Sequence, residues 1–200
     1  MKAVLISIAP KWCEKIAIGK KTIEVRKTKP SIPTPFKVYI YCTKEKPFIQ
    51  KIRFGDIAIS HTQISKNLYN GKVIGEFVCD KVISTCGWRL RGDTQQCAKR
   101  TVLEEEFPRL ACLTIDELVQ YAGGDGRGIY GWHISDLKIY DIPKTLSELR
   151  TPPCEKSEKA CGKCKYLVKI DTPDTYEVDC FVANGREITR PPQSWMYIEE

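Results

Sequence analysis

Lys21, Thr22, Glu24 and Arg26 crowd into the run Gly19-Lys20-Lys21-Thr22-Ile23-Glu24-Val25-Arg26. An amine, a hydroxyl, a carboxylate and a guanidinium at this spacing can hold a polar ligand or move a proton. Ile23 and Val25 alternate with Thr22, Glu24 and Arg26, which predicts a strand over 22–28, and residues two apart on a strand share a face. Ile23 and Val25 are therefore expected in the core. Thr22, Glu24 and Arg26 form one polar wall, with Lys21 at its lip. In a cleft, Lys21 would contact a phosphate or carbonyl, and Glu24 and Arg26 would orient a base or polarise a substrate. In a hydrolase, Glu24 would activate a water and Lys21 would steady the oxyanion. On an open surface Glu24 and Arg26 would merely pair, for ~0–1 kcal/mol.

A second chemical signal is Cys154, Cys161, Cys164 and Cys180. The pair Cys161-Gly162-Lys163-Cys164 has the knuckle spacing of structural zinc sites, and four thiolates would close a tetrahedral Zn2+ site with no open position. The lysine-rich stretch around it cannot build a core alone, so a metal would supply the missing stability. The alternative is a set of reduced thiols packed on the main body. The chain has ten cysteines in all. In a reducing compartment metal binding or buried thiols explain them better than a disulfide framework. Cys79 and Cys112 are expected as core thiols.

These groups need elements to position them. Residues 2–8 read as a buried strand. Pro10 suits the first turn of a helix with Trp12, Cys13, Ile16 and Ala17 on its apolar stripe, and Gly19 suits its left-handed end. Pro30, Pro33 and Pro35 make an extended connector. Strands are expected at Phe36–Cys42, after Gly55-Asp56, from Lys72 to Ile83 and from Ile129 to Tyr140. Thr114 caps a helix at 115–122 that ends at Gly123-Gly124. Residues 86–113 read as an insertion, basic at Arg89, Arg91, Lys99 and Arg100. Thr151-Pro152-Pro153 reads as a linker. The expected organisation is thus a 1–150 domain and a 151–200 cysteine-rich tail. Trp195 is expected to lie against the body. Short strands with few helices predict a mainly β, α+β architecture built on a small closed barrel.

The pattern Gly-x-Lys-x-x-Glu-x-Arg resembles that of ASCH domains, members of the PUA-like superfamily. Ser7-Ile8-Ala9-Pro10-Lys11-Trp12, Gly71-Lys72-Val73-Ile74-Gly75-Glu76-Phe77 and Tyr130-Gly131-Trp132-His133-Ile134-Ser135 extend the resemblance over roughly residues 1–145. The ending Thr189-Arg190-Pro191-Pro192-Gln193-Ser194-Trp195 looks like the tail of phage-encoded or prophage-encoded members. The resemblance implies a PUA-like β-barrel with flanking helices, to which the cysteine spacing adds a small zinc-ribbon-like appendage. It also implies a module that binds RNA, or a modified nucleoside or nucleotide, through Lys21, Glu24 and Arg26. Trp132 and His133, in the strand beside this cleft, are further candidate ligand contacts: Trp132 either stacks on a base or packs in the core, and His133 is otherwise structural. Some small members cleave N4-acetylcytidine with a lysine and a threonine three residues on. Lys21 matches the lysine, but Glu24 stands at the threonine position, and Thr22 is a poor substitute. Others are ribonucleases. The catalytic set, if there is one, is Lys21, Glu24 and Thr22.

The formal net charge of +7 fits an anionic partner such as nucleic acid. No apolar run is long enough for a membrane span. Val4-Leu5-Ile6-Ser7-Ile8-Ala9 is too short for a signal core. The expected setting is cytoplasmic, without a membrane partner.

Overall fold

The computed structural model describes residues 2–44, 70–85, 101–124, 127–153, 167–171, 176–180 and 185–200. The strand expected after Gly55 and the four arginines and lysines of the insertion lie outside these residues.

Strand β1 (Lys2–Ile8) is buried from Ala3 onward and runs inside a five-stranded sheet. Its apolar side chains alternate between two cores, so it reads as a near-continuous hydrophobic run. Helix α1 (Pro10–Ala17) begins at a proline, whose missing N–H costs nothing in a first helical turn. Gly19 follows it with φ of 71°, a conformation that a Cβ would strain. The short strand β2 (Ile23–Arg26) comes next, then β3 (Phe36–Cys42), which pairs in parallel with β1.

Strands β4 (Val73–Cys79) and β5 (Val82–Ser84) run antiparallel to β6 (Tyr130–His133) and β7 (Ser135–Lys144). Together they make one long, bent double hairpin: β4 with β7 belongs to the large sheet, β5 with β6 to a second sheet that also holds β2. The bend is pinned at Asp80, Lys81 and His133. The His133 amide donates to the Lys81 carbonyl at 2.9 Å, and its Nδ1 lies 2.7 Å from Asp80 Oδ1. The hydrogen bond to His133 holds the Asp80 carboxyl below the ordinary carboxylate range.

Between the double hairpin and the end of the chain, β8 (Leu167–Asp171) and β9 (Tyr176–Cys180) form a separate hairpin with Leu167 opposite Cys180. The last strand, β10 (Trp195–Glu199), pairs antiparallel with β1, and Arg150 bridges to Glu187 and Glu199. The end of the region read as a tail is therefore part of the main sheet. Trp195 meets Trp132 edge-on at 5.9 Å between ring centroids.

The mainly β class with flanking helices is what the structure shows. The expected closed barrel is not: among the described residues the body is built on two sheets, in the orders β10-β1-β3-β4-β7 and β2-β6-β5, that face each other across a core. The chain changes sheet at the bend instead of closing a ring of hydrogen bonds. Val4, Ile6, Val38, Ile40 and Phe77 from the large sheet meet Trp132, Ile134 and the α1 residues Cys13 and Ile16. Ile23 and Val25 point away from this core into another, beneath α2 (Thr101–Ala111) and α3 (Ile115–Ala122). Thr114 caps α3 through a reciprocal pair of bonds with Glu117, and Gly123 ends it left-handed.

Gly75 is a point of close approach between β4 and β7. A Cβ there would stand 2.4 Å from the Lys138 carbonyl oxygen and 3.1 Å from Ile139 Cα. Neither can yield without breaking the ladder. Gly75→Ala is expected to cost about 1–3 kcal/mol, read as a melting temperature lower by several degrees in a thermal scan.

Candidate functional site

Strand β2 is buried on both faces, which is unusual for a sequence carrying Glu24 and Arg26. Lys21, Glu24 and Arg26 expose only 3%, 6% and 8% of their surface. They form a row of charges. Lys21 Nζ lies 3.3 Å from Glu24 Oε2, and Glu24 Oε1 lies 3.0 Å from Arg26 Nη2. Buried charges persist only when paired and hydrogen-bonded, and the surroundings supply both. Lys21 Nζ donates to the Ile23 carbonyl at 2.8 Å and to the Ala111 carbonyl at 2.9 Å. Ala111 is the last residue of α2, so the ammonium also meets the negative end of that helix. Arg26 Nη2 donates to the Ser7 carbonyl at 2.6 Å. This ties the small sheet to β1.

The row floors a pocket of about 450 Å³, within the range of small-molecule sites. One wall is the β1–α1 corner, with Ser7, Lys11 and Trp12. The other is α3, with Glu117, Gln120 and Tyr121. Two buried polar atoms of the row lack a hydrogen-bond partner: Glu24 Oε2, whose ion pair with Lys21 is close but poorly aligned for a hydrogen bond, and Arg26 Nε. Both atoms, one an acceptor and one a donor, are buried in this structure. Burial pushes the Tyr121 phenol up, partly offset by the Arg26 guanidinium beside it.

The structure gathers Lys21, Glu24 and Arg26 as the sequence predicts. It changes the part Lys21 can play. An ammonium has three donors; two are held by carbonyls, and the third lies toward Glu24 without closing a hydrogen bond. Lys21 therefore positions Glu24 and has at most one donor left for an oxyanion. Thr22 does not line the pocket; its amide donates to Leu110 and its carbonyl accepts from Ile134. Trp132 is fully buried between Phe36 and Trp195 and packs the core between the sheets, out of reach of a stacking base. It is the register partner of Glu24, so its side chain follows the same face into the core rather than the surface. His133 pins the bend with Asp80 and lines no part of the pocket.

Cys79 is a core thiol, pushed up to about 12 chiefly by burial. Cys112 is not: it follows α2 at φ of 54° and its thiol donates to the Lys20 carbonyl. Cys154, Cys161 and Cys164 lie outside the described residues, and of Cys180 only its place on β9 is described. Among the described residues no cluster of metal-ligating side chains occurs, and no helix is long and apolar enough to cross a membrane.

Sequence reasoning missed Trp12 and Tyr121 as pocket walls. Trp12 could have been found from its flanking Lys11 and Lys15. Tyr121 shares a helical face with Glu117 and Gln120, a pattern that solvated helices also show.

No family model matches the sequence, and no curated protein does. Solved structures do. The ASCH protein of Zymomonas mobilis is 17% identical, with the match covering 99% of this chain and 88% of that one at a TM-score of 0.51. A serine-to-alanine mutant of the same Zymomonas mobilis protein is 16% identical, covering 99% and 89%, also at 0.51. The chain therefore has the fold of an ASCH protein.

Proposed function

We propose that this chain is a nucleic-acid-binding module that seats one base of an RNA, or a modified nucleotide, in the pocket above β2. The observation that carries this reading is Glu24, buried and charge-paired, with Oε2 lacking a hydrogen-bond partner. An oxygen in that state is matched by an N–H donor such as an exocyclic amine, and the unpartnered Arg26 Nε by an adjacent acceptor. Nucleobase edges present both. Trp12 and Tyr121 line the pocket with lysines over their rings, and the net charge of +7 favours a polyanion. The amidohydrolase reading is weaker, because Thr22 lies outside the pocket and two of the three Lys21 donors are held by backbone carbonyls.

The test pairs two assays. Short RNA should bind with an affinity that falls as salt rises, and N4-acetylcytidine should stay intact on chromatography. Turnover of the acetylated nucleoside, or RNA cleavage, would replace this reading with an enzymatic one.

For the cysteines, the proposal is a structural zinc held by Cys154, Cys161, Cys164 and Cys180. Its support is positional. Cys180 stands on β9 opposite Leu167, and Cys161 and Cys164 precede Leu167 in the sequence with knuckle spacing. Purified protein is expected to release close to one equivalent of zinc to a colorimetric chelator after thiol modification. Metal-free protein with all thiols reduced would remove the site.

A further inference from the structure

The mouth of the pocket carries fixed positive charge on both sides of the buried row. Trp12 stands at the Lys21 end, with Lys21 Nζ 5.4 Å from its ring centroid. Lys11 and Lys15 also place their ammonium groups over this ring, at 4.5 and 4.7 Å. Tyr121 stands at the Arg26 end, and Lys27 lies over its ring at 5.4 Å. Lys11 and Lys27 are exposed and Lys15 is half-buried. Both rings line the pocket. Holding an ammonium over an aromatic face lowers the cost of ordering a long side chain, so these charges are placed rather than dispersed.

A free nucleoside is uncharged and would meet none of them. A base within a strand has a phosphodiester on each side. The geometry points to a single-stranded nucleic acid drawn across the pocket, with one base down on Glu24 and Arg26. The phosphate on one side lies against Lys11 and Lys15, and the phosphate on the other against Lys27. This rests on the base-pocket reading and adds to it that the ligand is a strand, with a stated path. Among the described residues at the pocket rim, Glu117 carries the opposing charge. Its carboxylate is engaged with Thr114 and also feels Lys11 and Lys15.

The experiment measures affinity against salt for a fluorescent RNA of about eight nucleotides, a DNA of the same sequence, and the free nucleosides. Wild type is compared with Lys11→Ala/Lys15→Ala, Lys27→Ala and Glu117→Gln, each checked for an unchanged melting temperature. Each lost phosphate contact should lower the log–log salt slope by about 0.7. The expected result is a slope lower by about 0.7–1.4 in the double variant and about 0.7 in Lys27→Ala, with Glu117→Gln binding severalfold tighter. The same losses with RNA or DNA support the path. Nucleosides binding as tightly as the strand, independent of salt, would overturn the path and leave the base pocket standing. Strand binding whose slope ignores all three lysines would also overturn it. No binding by strand or nucleoside would remove both.

Discussion

Lys21→Ala is expected to lower the melting temperature by roughly 10 °C, while Lys20→Ala leaves it unchanged. The two residues are neighbours of the same type, but Lys20 is exposed and Lys21 is 3% exposed. Removing the Lys21 ammonium takes the Ile23 and Ala111 carbonyls from their donor and leaves Glu24 with Arg26 alone. Breaking a buried ion pair by deleting one partner costs about 3–5 kcal/mol. For a chain of this size each kcal/mol moves the melting point by about 2–4 °C. Lys21→Met keeps the stem's packing and loses the charge, so it should fall nearly as far. If both variants melt with wild type, the ammonium is not the element that holds α2 to β2.

Glu24→Gln is expected to weaken RNA binding by about 100-fold. The change is isosteric, so the pocket keeps its shape. What it loses is the charge of the acceptor, and charge-assisted hydrogen bonds are about twice as strong as neutral ones. Losing one partner of a buried charged contact at an interface costs about 2–5 kcal/mol, and 100-fold is about 2.7 kcal/mol. Some stability will go as well, because Lys21 and Arg26 are left facing each other across a neutral amide. Affinity is therefore measured on protein shown to be folded, at a temperature well below its transition. Unchanged affinity in a folded Glu24→Gln protein would show that the base is seated elsewhere.

Much of this was legible in the sequence for local reasons. Phe36–Cys42 and the helix Ile115–Ala122 lie where β-branched and aromatic residues, a threonine cap and a terminal glycine put them. The alternation around Glu24 assigned Ile23 and Val25 correctly to a core. What failed was non-local. Periodicity gives a strand, not its neighbours, so Ile129 to Tyr140 read as one strand when the chain changes sheet at Ile134. A closed barrel was inferred from the same strands. Trp132 and His133 looked like ligand contacts because they sit in a strand near the motif. Yet one residue points into the core and the next pins a corner, as strand alternation requires. β10 was invisible because its pairing with β1 joins the two ends of the chain.

The bend at Asp80 and His133 is where the chain passes from the large sheet to the small one. The floor of the pocket belongs to the small sheet and one wall to the large one, and both sheets are cut from the same pair of strands. Floor and wall are also laced directly, by Arg26 donating to the Ser7 carbonyl. One guanidinium thus serves both as a group of the pocket and as the clasp that keeps its two sides together.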